Sequence, residues 1–486
     1  MPPTTSAYDQ VAFPSYPFPA SHPNRLAVAA HFAGIETPDV GSCRVLELGC
    51  GAGGNILPLA DNLPHSRFVG VDVSSQQVKE ARGVCEAVGL TNLELLDRDI
   101  LTLDESLGEY DYIICHGVFS WTTDEVRDKI LSICATQLSP TGIALVNYNT
   151  YPGWHLQNWV RDMIRARALT FAGAETQLRE ARTMLDVLIA AFKPQQLAHH
   201  SLLLRELENM QRYSDEFLFH AVLNFQNQPF YLGEFVSRCE GHSLRYIGDA
   251  DPTLSWSGTV RSSTAAQFAQ LCPNRVAMEQ HLDFVNNTVS RRSLLCRQSV
   301  AVVRDGPPLG LSGLHVSGSL ELTTNATDPH AAMFQTPAGR TIMTRNAGLR
   351  DALKVIADAW PESVPCDKLT GENDSDGPTW QPELLDCYSA GILELSLRPS
   401  PCTRTLEERP GTTRLARWQA AHQDFVTNLR HQAVRLTPSQ RRLLLLLDST
   451  HSQTDLATLL AIDKASVAEQ LEQLARFSLL VTDCGK

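Results

Sequence analysis

Between residues 43 and 150, short apolar runs alternate with stretches of helical character. "RVLELG" (44–49) leads to a helix from about residue 54, "RFVGVDV" (67–73) to one from about 75, and "LELLDRDI" (93–100) to a loop. "YDYIICHG" (110–117) precedes a helix from about 124, and "GIALVNYN" (142–149) completes the series. Alternation of this kind predicts an α/β fold built on a parallel, doubly wound sheet. Residues 155–240 read as mostly helical. There "RTMLDVLIAAF" (182–192) puts Met184, Leu185, Leu188, Ile189 and Phe192 on one apolar face. "SLRYIGD" (243–249) and "RRSLLCRQSV" (291–300) are expected to be the last two strands of the same sheet, with the helical segment inserted before them.

Beyond residue 300 the pattern changes. "TPAGRTIMT" (336–344) reads as turn and strand, "LRDALKVIADAWP" (349–361) as an amphipathic helix, and "TGENDSDGP" (370–378) as an acidic loop. A proline-containing linker, "RPSPCTRTLEERPGTT" (398–413), leads to a tail at 454–480 that reads as helix–turn–helix followed by a short strand. The first residues are rich in proline and aromatics and look like an extended arm entering a helix near Arg25. The expected division is an arm or lid at 1–35, a core at 36–300 with a helical insert at about 155–240, a middle α+β regulatory or accessory region at 301–400, and a winged-helix-like α+β region at 401–486. At 486 residues, two to four domains are within reach.

Charge narrows the partners. A formal net charge of −13 argues against general nucleic-acid binding, which rests on neutralising phosphates. Residues 401–486 carry 11 Lys/Arg against 9 Asp/Glu, too small a surplus for a DNA reader, so protein contact or dimerisation is the expected use of the winged helix. The twelve cysteines contain no CxxC pair, and no HExxH or Cys/His cluster has ligand spacing, so no metal is expected. No secretory signal or membrane-spanning run is evident, and a cytoplasmic protein without membrane insertion is expected.

The chemistry concentrates in "VLELGCGAGGN" (45–55). Gly49, Gly51 and Gly54 satisfy GxGxxG, with Asp72 about twenty residues on, as in dinucleotide sites. A dinucleotide, however, brings a pyrophosphate, which Glu47 at the end of the first strand would repel. In class I methyltransferases an acid stands at that place before GxGxG, here Gly49, Gly51 and Gly53. Their ligand, S-adenosylmethionine, carries an ammonium and a sulfonium. Asp72 then holds ribose hydroxyls, with Val73 beside it. Asp99 lies where that family directs a side chain to the adenine amino group, with Ile100 packing on the ring. Each residue alone has a plainer account, a tight turn for the glycines and a helix cap for Asp72.

The likeness extends further. "YDQVAFPSYPFPASHPNRLA" (8–27), "HGVFSW" (116–121), "QLSPTGIALVNYNTYPGW" (137–154), "FQNQPFYLGEFV" (225–236) and "SLRYIGD" resemble a bacterial branch of class I methyltransferases. "NLRHQAVRL" (428–436) and the terminal helices resemble it weakly. That branch carries a methyltransferase regulatory domain and includes protein-lysine methyltransferases of outer-membrane proteins. The resemblance implies a Rossmann-like seven-stranded core and an arm, with Tyr8, Tyr16, His22 and Arg25, that closes over the cofactor. Tyr16 is the arm residue expected at the cofactor. It also leaves a homodimer open.

Methyl transfer to lysine needs an unprotonated amine and a pocket that tolerates a cationic product, for which aromatic faces suit. Candidates at the ends of strands four and five are His116, Phe119, Trp121, Tyr148, Asn149, Tyr151 and Trp154. His116, Trp121, Tyr148 and Asn149 are taken as catalytic candidates. His116 is a base, a group lining the cofactor, or a structural histidine; Trp121 and Trp154 line a pocket or pack loops. Asn149 bonds the substrate amine or caps a turn. "YPGW" reads as a type II turn, and Gln228, Pro229 and Tyr231 as interior packing more than as a substrate mouth. A protein-lysine acceptor is the leading expectation. A small-molecule acceptor and a non-catalytic S-adenosylmethionine-binding protein remain the alternatives.

Overall fold

A computed structural model of the chain describes residues 11–193, 198–224, 226–255, 267–268, 270–303, 310–323, 328, 330–369 and 380–481. Its centre is a seven-stranded sheet in the order β3-β2-β1-β4-β5-β7-β6. The strands are β1 (Arg44–Leu48), β2 (Arg67–Asp72), β3 (Leu93–Asp97), β4 (Tyr110–Cys115), β5 (Leu138–Asn149), β6 (Leu244–Asp249) and β7 (Ser290–Arg297). β1 to β5 pair in parallel, whereas β7 runs antiparallel to both β5 and β6. Helices still separate the strands after β5, but parallel pairing ends there: β6 is followed by helix 275–286, after which β7 inserts antiparallel between β5 and β6.

Helices cover both faces, so the central strands are buried almost end to end: in β1 only Arg44 is exposed. One layer packs Val45, Tyr112 and Leu145 under the helices at 56–62 and 75–88; the other packs Leu46, Ile113, Val146 and Tyr148 under the helix at 124–137. Those helices start and stop on local signals. Ser74 accepts from Gln77 N, Thr123 accepts from Val126 N, and Gly89 closes helix 75–88 at φ +71.

Between β5 and β6 lie the helices at 153–168, 174–192, 198–211 and 232–241, with a π turn at 219–223. Leu185 and Ile189 of the expected apolar face are buried there with Val160, Leu207 and Phe219. A middle region adds the strands β8 (His315–Ser317), β9 (Glu321–Thr323), β10 (Ala332–Gln335), β11 (Thr341–Thr344), β12 (Val364–Pro365) and β13 (Glu394–Ser396), with its own core around Phe334, Leu353 and Trp380. The acidic loop expected at 370–378 lies outside the described residues. The C-terminal region packs the helices at 414–422, 438–445, 453–460 and 464–476 around Leu443, Leu456, Val467 and Leu471. Its hairpin joins β14 (Val426–Thr427) to β15 (Ala433–Val434). After the last helix, Val481 bridges singly to Cys402 and Gly411 in place of a full strand.

The expected arm divides at His22. Residues 11–21 are extended apart from a short 3-10 turn at 19–21, and the helix Pro23–Phe32 is a wedge. That helix sends Leu26, Ala27 and Ala30 into the central core and Val28 into the middle one.

Candidate active site

At the carboxyl ends of β1, β2 and β4, where strand order reverses direction, an open α/β sheet leaves a crevice for ligand. The chain leaves β1 through Gly49, Gly51 and Gly53, at φ +79, +53 and +80, a left-handed backbone that favours glycine. A Cβ at Gly49 would also lie 2.2 Å from Val118 Cγ2. Asp72, at the end of β2, ties this loop down: its Oδ2 accepts from Gly51 N at 2.8 Å and its Oδ1 from Ser74 N at 2.9 Å. Val73 follows with 50 % of its surface exposed. Asp99, two residues past the end of β3, is exposed and accepts from Leu101 N at 2.9 Å, while Ile100 is buried beside it. Because Asp72 pairs with Asp97 in register, the structure brings Asp72, Val73, Asp99 and Ile100 to one edge.

The side facing β1 and β4 is enclosed. Glu47 is 3 % exposed, and its Oε1 accepts from Asn55 Nδ2 at 2.8 Å. Its Oε2 has no hydrogen-bond partner among the described residues. Burial pushes its carboxyl up to about 8, opposed by the Asn55 hydrogen bond and reinforced by the charge of Asp72. Leu48 and Cys115 are paired, which sets His116 beside Gly49. Burial, with the charge of Arg292, lowers His116 to about 3, so the ring is neutral at pH 7. Its Nδ1 is likewise enclosed without a partner among the described residues.

The arm crosses this half. Phe18 stacks on His116 with ring centroids 3.6 Å apart, and Phe18 N donates to Asn55 Oδ1 at 2.9 Å. Ser15 Oγ accepts from Gly54 N at 2.6 Å. A Cβ at Gly54 would fall 2.4 Å from the Ser15 carbonyl carbon, so this glycine serves the close approach of the arm. Tyr16 is 42 % exposed and rests against Phe425, ring centroids 5.2 Å apart. His22 and Arg25 belong elsewhere: His22 Nδ1 accepts from Asn24 N to cap the wedge helix, and Arg25 pairs with Glu394 at 2.8 Å. Tyr8 lies outside the described residues.

Past β5, aromatic rings gather. Trp121 meets Trp154 edge to face at 5.7 Å, and Tyr151 stacks on His155 at 4.2 Å. His155 Nε2 lies 3.1 Å from the Tyr231 hydroxyl, and Asn149 Nδ2 donates to Asn227 Oδ1 at 2.7 Å. Tyr231 and Gln228 are therefore at the rim; only Pro229 follows the interior reading. Two further expectations fail. Tyr148 is 1 % exposed, stacked on Phe235 at 4.0 Å with its hydroxyl on Ser293, because strand alternation turns it into the core layer with Phe119. It has no access to a substrate. Pro152-Gly153 forms no type II turn: Gly153 starts a helix, where a Cβ would lie 2.5 Å from Thr288 O.

Asn55, Phe18, Ser15 and His155 were missed. Asn55 was marked only by following the glycines, Phe18 and Ser15 only by lying in the aromatic, proline-rich arm, and His155 by nothing beyond its place after "YPGW". Among the described residues, no helix is long and apolar enough to cross a membrane.

S-adenosylmethionine can be tested against these residues. A buried carboxylate oxygen without a partner suits an ammonium, and a neutral imidazole does not repel a sulfonium. The exposed edge with Val73 and Asp99 leaves room for an adenosine. The residues fit the group, and fold and site together define a class I methyltransferase.

Comparison with known proteins agrees. A family described as methyltransferase domain matches residues 45–142, one described as predicted methyltransferase regulatory domain matches 214–297, and the PKMT C-terminal winged helix domain matches 408–474. An uncharacterised protein of Rickettsia prowazekii is 35 % identical over 298 residues, 61 % of this chain and 54 % of that one. A second from the same organism is 32 % identical over 241 residues, 50 % of this chain and 96 % of that one. The chain thus spans about half the length of the first relative and nearly all of the second. The structure of PKMT2 from Rickettsia typhi in complex with AdoHcy matches with a TM-score of 0.86 at 26 % identity, covering 97 % of this chain and 100 % of that one. The chain belongs to the class I S-adenosylmethionine-dependent methyltransferases that carry a methyltransferase regulatory domain and the PKMT winged helix.

Proposed function

We propose that this methyltransferase acts on lysine side chains of a protein. The observation that carries the reading is a set of half-exposed aromatic rings past the ends of β4 and β5: Trp121, which follows His116 by five residues and meets Trp154, and the Tyr151–Tyr231 pair. Aromatic faces attract a methylammonium and help to expel water around the approaching amine. The likeness to PKMT2 and the PKMT winged helix supports the same acceptor.

The bound donor supplies an electrophilic methyl on sulfur. The chain's residues do the positioning. Glu47 would hold the ammonium, Asp72 the ribose hydroxyls, and Val73, Asp99 and Ile100 the adenine. His116, neutral, lines the donor's charged end; a group held at about 3 is too weak a base for an ammonium, so lining is the favoured role. Trp121 and Tyr231 bound the path of the amine, and Asn149 sits beside it through Asn227. The expected tests use radiolabelled S-adenosylmethionine in a host lysate. Label should enter protein and, after acid hydrolysis, run as methyllysine. Label confined to small molecules overturns the proposal.

A further inference from the structure

One side chain in the enclosed half comes from the far end of the chain. His431 Nε2 lies 2.7 Å from Asn55 Oδ1, across 376 residues of sequence, and the ring is completely buried. Asn55 in turn donates an Nδ2–H hydrogen bond to Glu47 Oε1 at 2.8 Å. One arrangement satisfies the donors aimed at Asn55 Oδ1, and it leaves His431 Nδ1 as a buried acceptor with no partner among the described residues. Ser21 has a single hydroxyl proton, with Phe18 O at 2.8 Å and Asn55 Oδ1 at 3.0 Å. If it goes to Phe18 O, the two lone pairs of Asn55 Oδ1 take Phe18 N and His431 Nε2. The amide is thereby fixed with oxygen toward the arm and the hairpin and with nitrogen toward Glu47.

The delivery of His431 is also built. It sits in the tip of the β14–β15 hairpin at φ +60, and Asn428 Oδ1 accepts from Arg430 N at 3.0 Å and Gln432 N at 2.9 Å. Next to it, buried Arg430 anchors the tip on the middle region. Arg430 donates to Ser317 Oγ at 2.9 Å, Glu394 Oε2 at 2.8 Å and Pro361 O at 2.6 Å, and lies 4.3 Å from the Trp360 ring centroid. A left-handed non-glycine residue is retained where its surroundings over-determine it.

The geometry points to His431 as a positioning residue for the donor site: the winged-helix region completes that site by fixing Asn55, and through it Glu47 and the arm. The inference rests on the reading that Glu47 faces the methyl donor.

The test is calorimetric titration of the full chain with S-adenosylhomocysteine. His431→Met fills the space without a donor, whereas His431→Gln keeps an N–H at about the same reach, and both share any left-handed strain. His431→Met should bind about tenfold more weakly, the scale of one lost buried hydrogen bond, and His431→Gln within about threefold of the native chain. In an Asn55→Ala background, His431→Met should add less than about twofold, because its effect runs through that amide. Equal affinity of His431→Met and the native chain, equal losses in the Met and Gln variants, or full additivity with Asn55→Ala overturns the inference. Absence of binding by the native chain removes the reading of the site beneath it.

Discussion

The two halves of the donor site are built in opposite ways. The half at β2 and β3 is open and local: Asp72 bonds Gly51 N and Ser74 N, Asp99 caps the turn that follows it, and Val73 stands half exposed. The half at β1 and β4 is closed and assembled from afar. Glu47 meets Asn55, Asn55 meets Phe18 and His431, and His116 lies under Phe18. Open, charged groups keep their water and suit a neutral, hydrogen-bonding adenosine. Enclosed groups give up water, so their electrostatics are stronger and their protonation responds to what binds.

Removing Asp72 should do the most harm, because it serves both halves. Asp72→Ala takes away the proposed ribose acceptor and leaves Gly51 N and Ser74 N without their carboxylate. Hydrogen bonds to charged groups are worth about 1.5–3 kcal/mol, so affinity for S-adenosylhomocysteine should fall roughly ten- to hundredfold in calorimetry. An unchanged affinity would break the assignment of the whole edge.

The enclosed half should announce itself through pH. Glu47 is raised from 4.5 to about 8, so between those values the folded chain holds a proton that the unfolded chain has lost. Stability conferred by that proton is present below 4.5 and disappears as pH rises through about 8. His116, lowered from 6.5 to about 3, has the opposite sign: stability falls as pH drops below 6.5. The two oppose each other from 4.5 to 6.5, so the clean window is 6.5 to 8. There, thermal melts of the ligand-free protein should decline with pH by up to about 1.4 kcal/mol per unit more than those of Glu47→Gln. Parallel melting curves for the two proteins would show Glu47 to be ionised in contact with water.

The same contrast governs what was legible in the sequence. The succession of strands β1 to β5, the glycine turn, Asp72 and Asp99 are read from spacings of a few residues, because local geometry fixes them; the place of β7 in the sheet is not. Gly54 fitted a dinucleotide fingerprint in the sequence; in the fold it makes room for Ser15, 39 residues away. Tyr148 was counted among site residues from its place at a strand end, yet alternation along β5 turns it into the core. His431 carried only the signal of a weakly matching stretch, and no spacing rule links it to Asn55. Tertiary contacts that enclose a site leave little periodic trace.

The smallest effect should come from the open half. Asp99 is exposed, its backbone bond to Leu101 N is made in water, and an adenine amino group approaching it trades one solvated partner for another. Asp99→Asn keeps an acceptor of the same shape, so affinity for S-adenosylhomocysteine should fall by no more than about 1 kcal/mol, roughly fivefold. The more telling measurement is specificity. An analogue with inosine in place of adenosine lacks the amino donor, and the native chain should discriminate against it through the Asp99 carboxylate, whereas Asp99→Asn, which can present its amide nitrogen to an oxygen, should discriminate less. If the variant keeps full discrimination, adenine is read by backbone around Ile100, and the open half is more enclosed in the bound state than its ligand-free geometry implies.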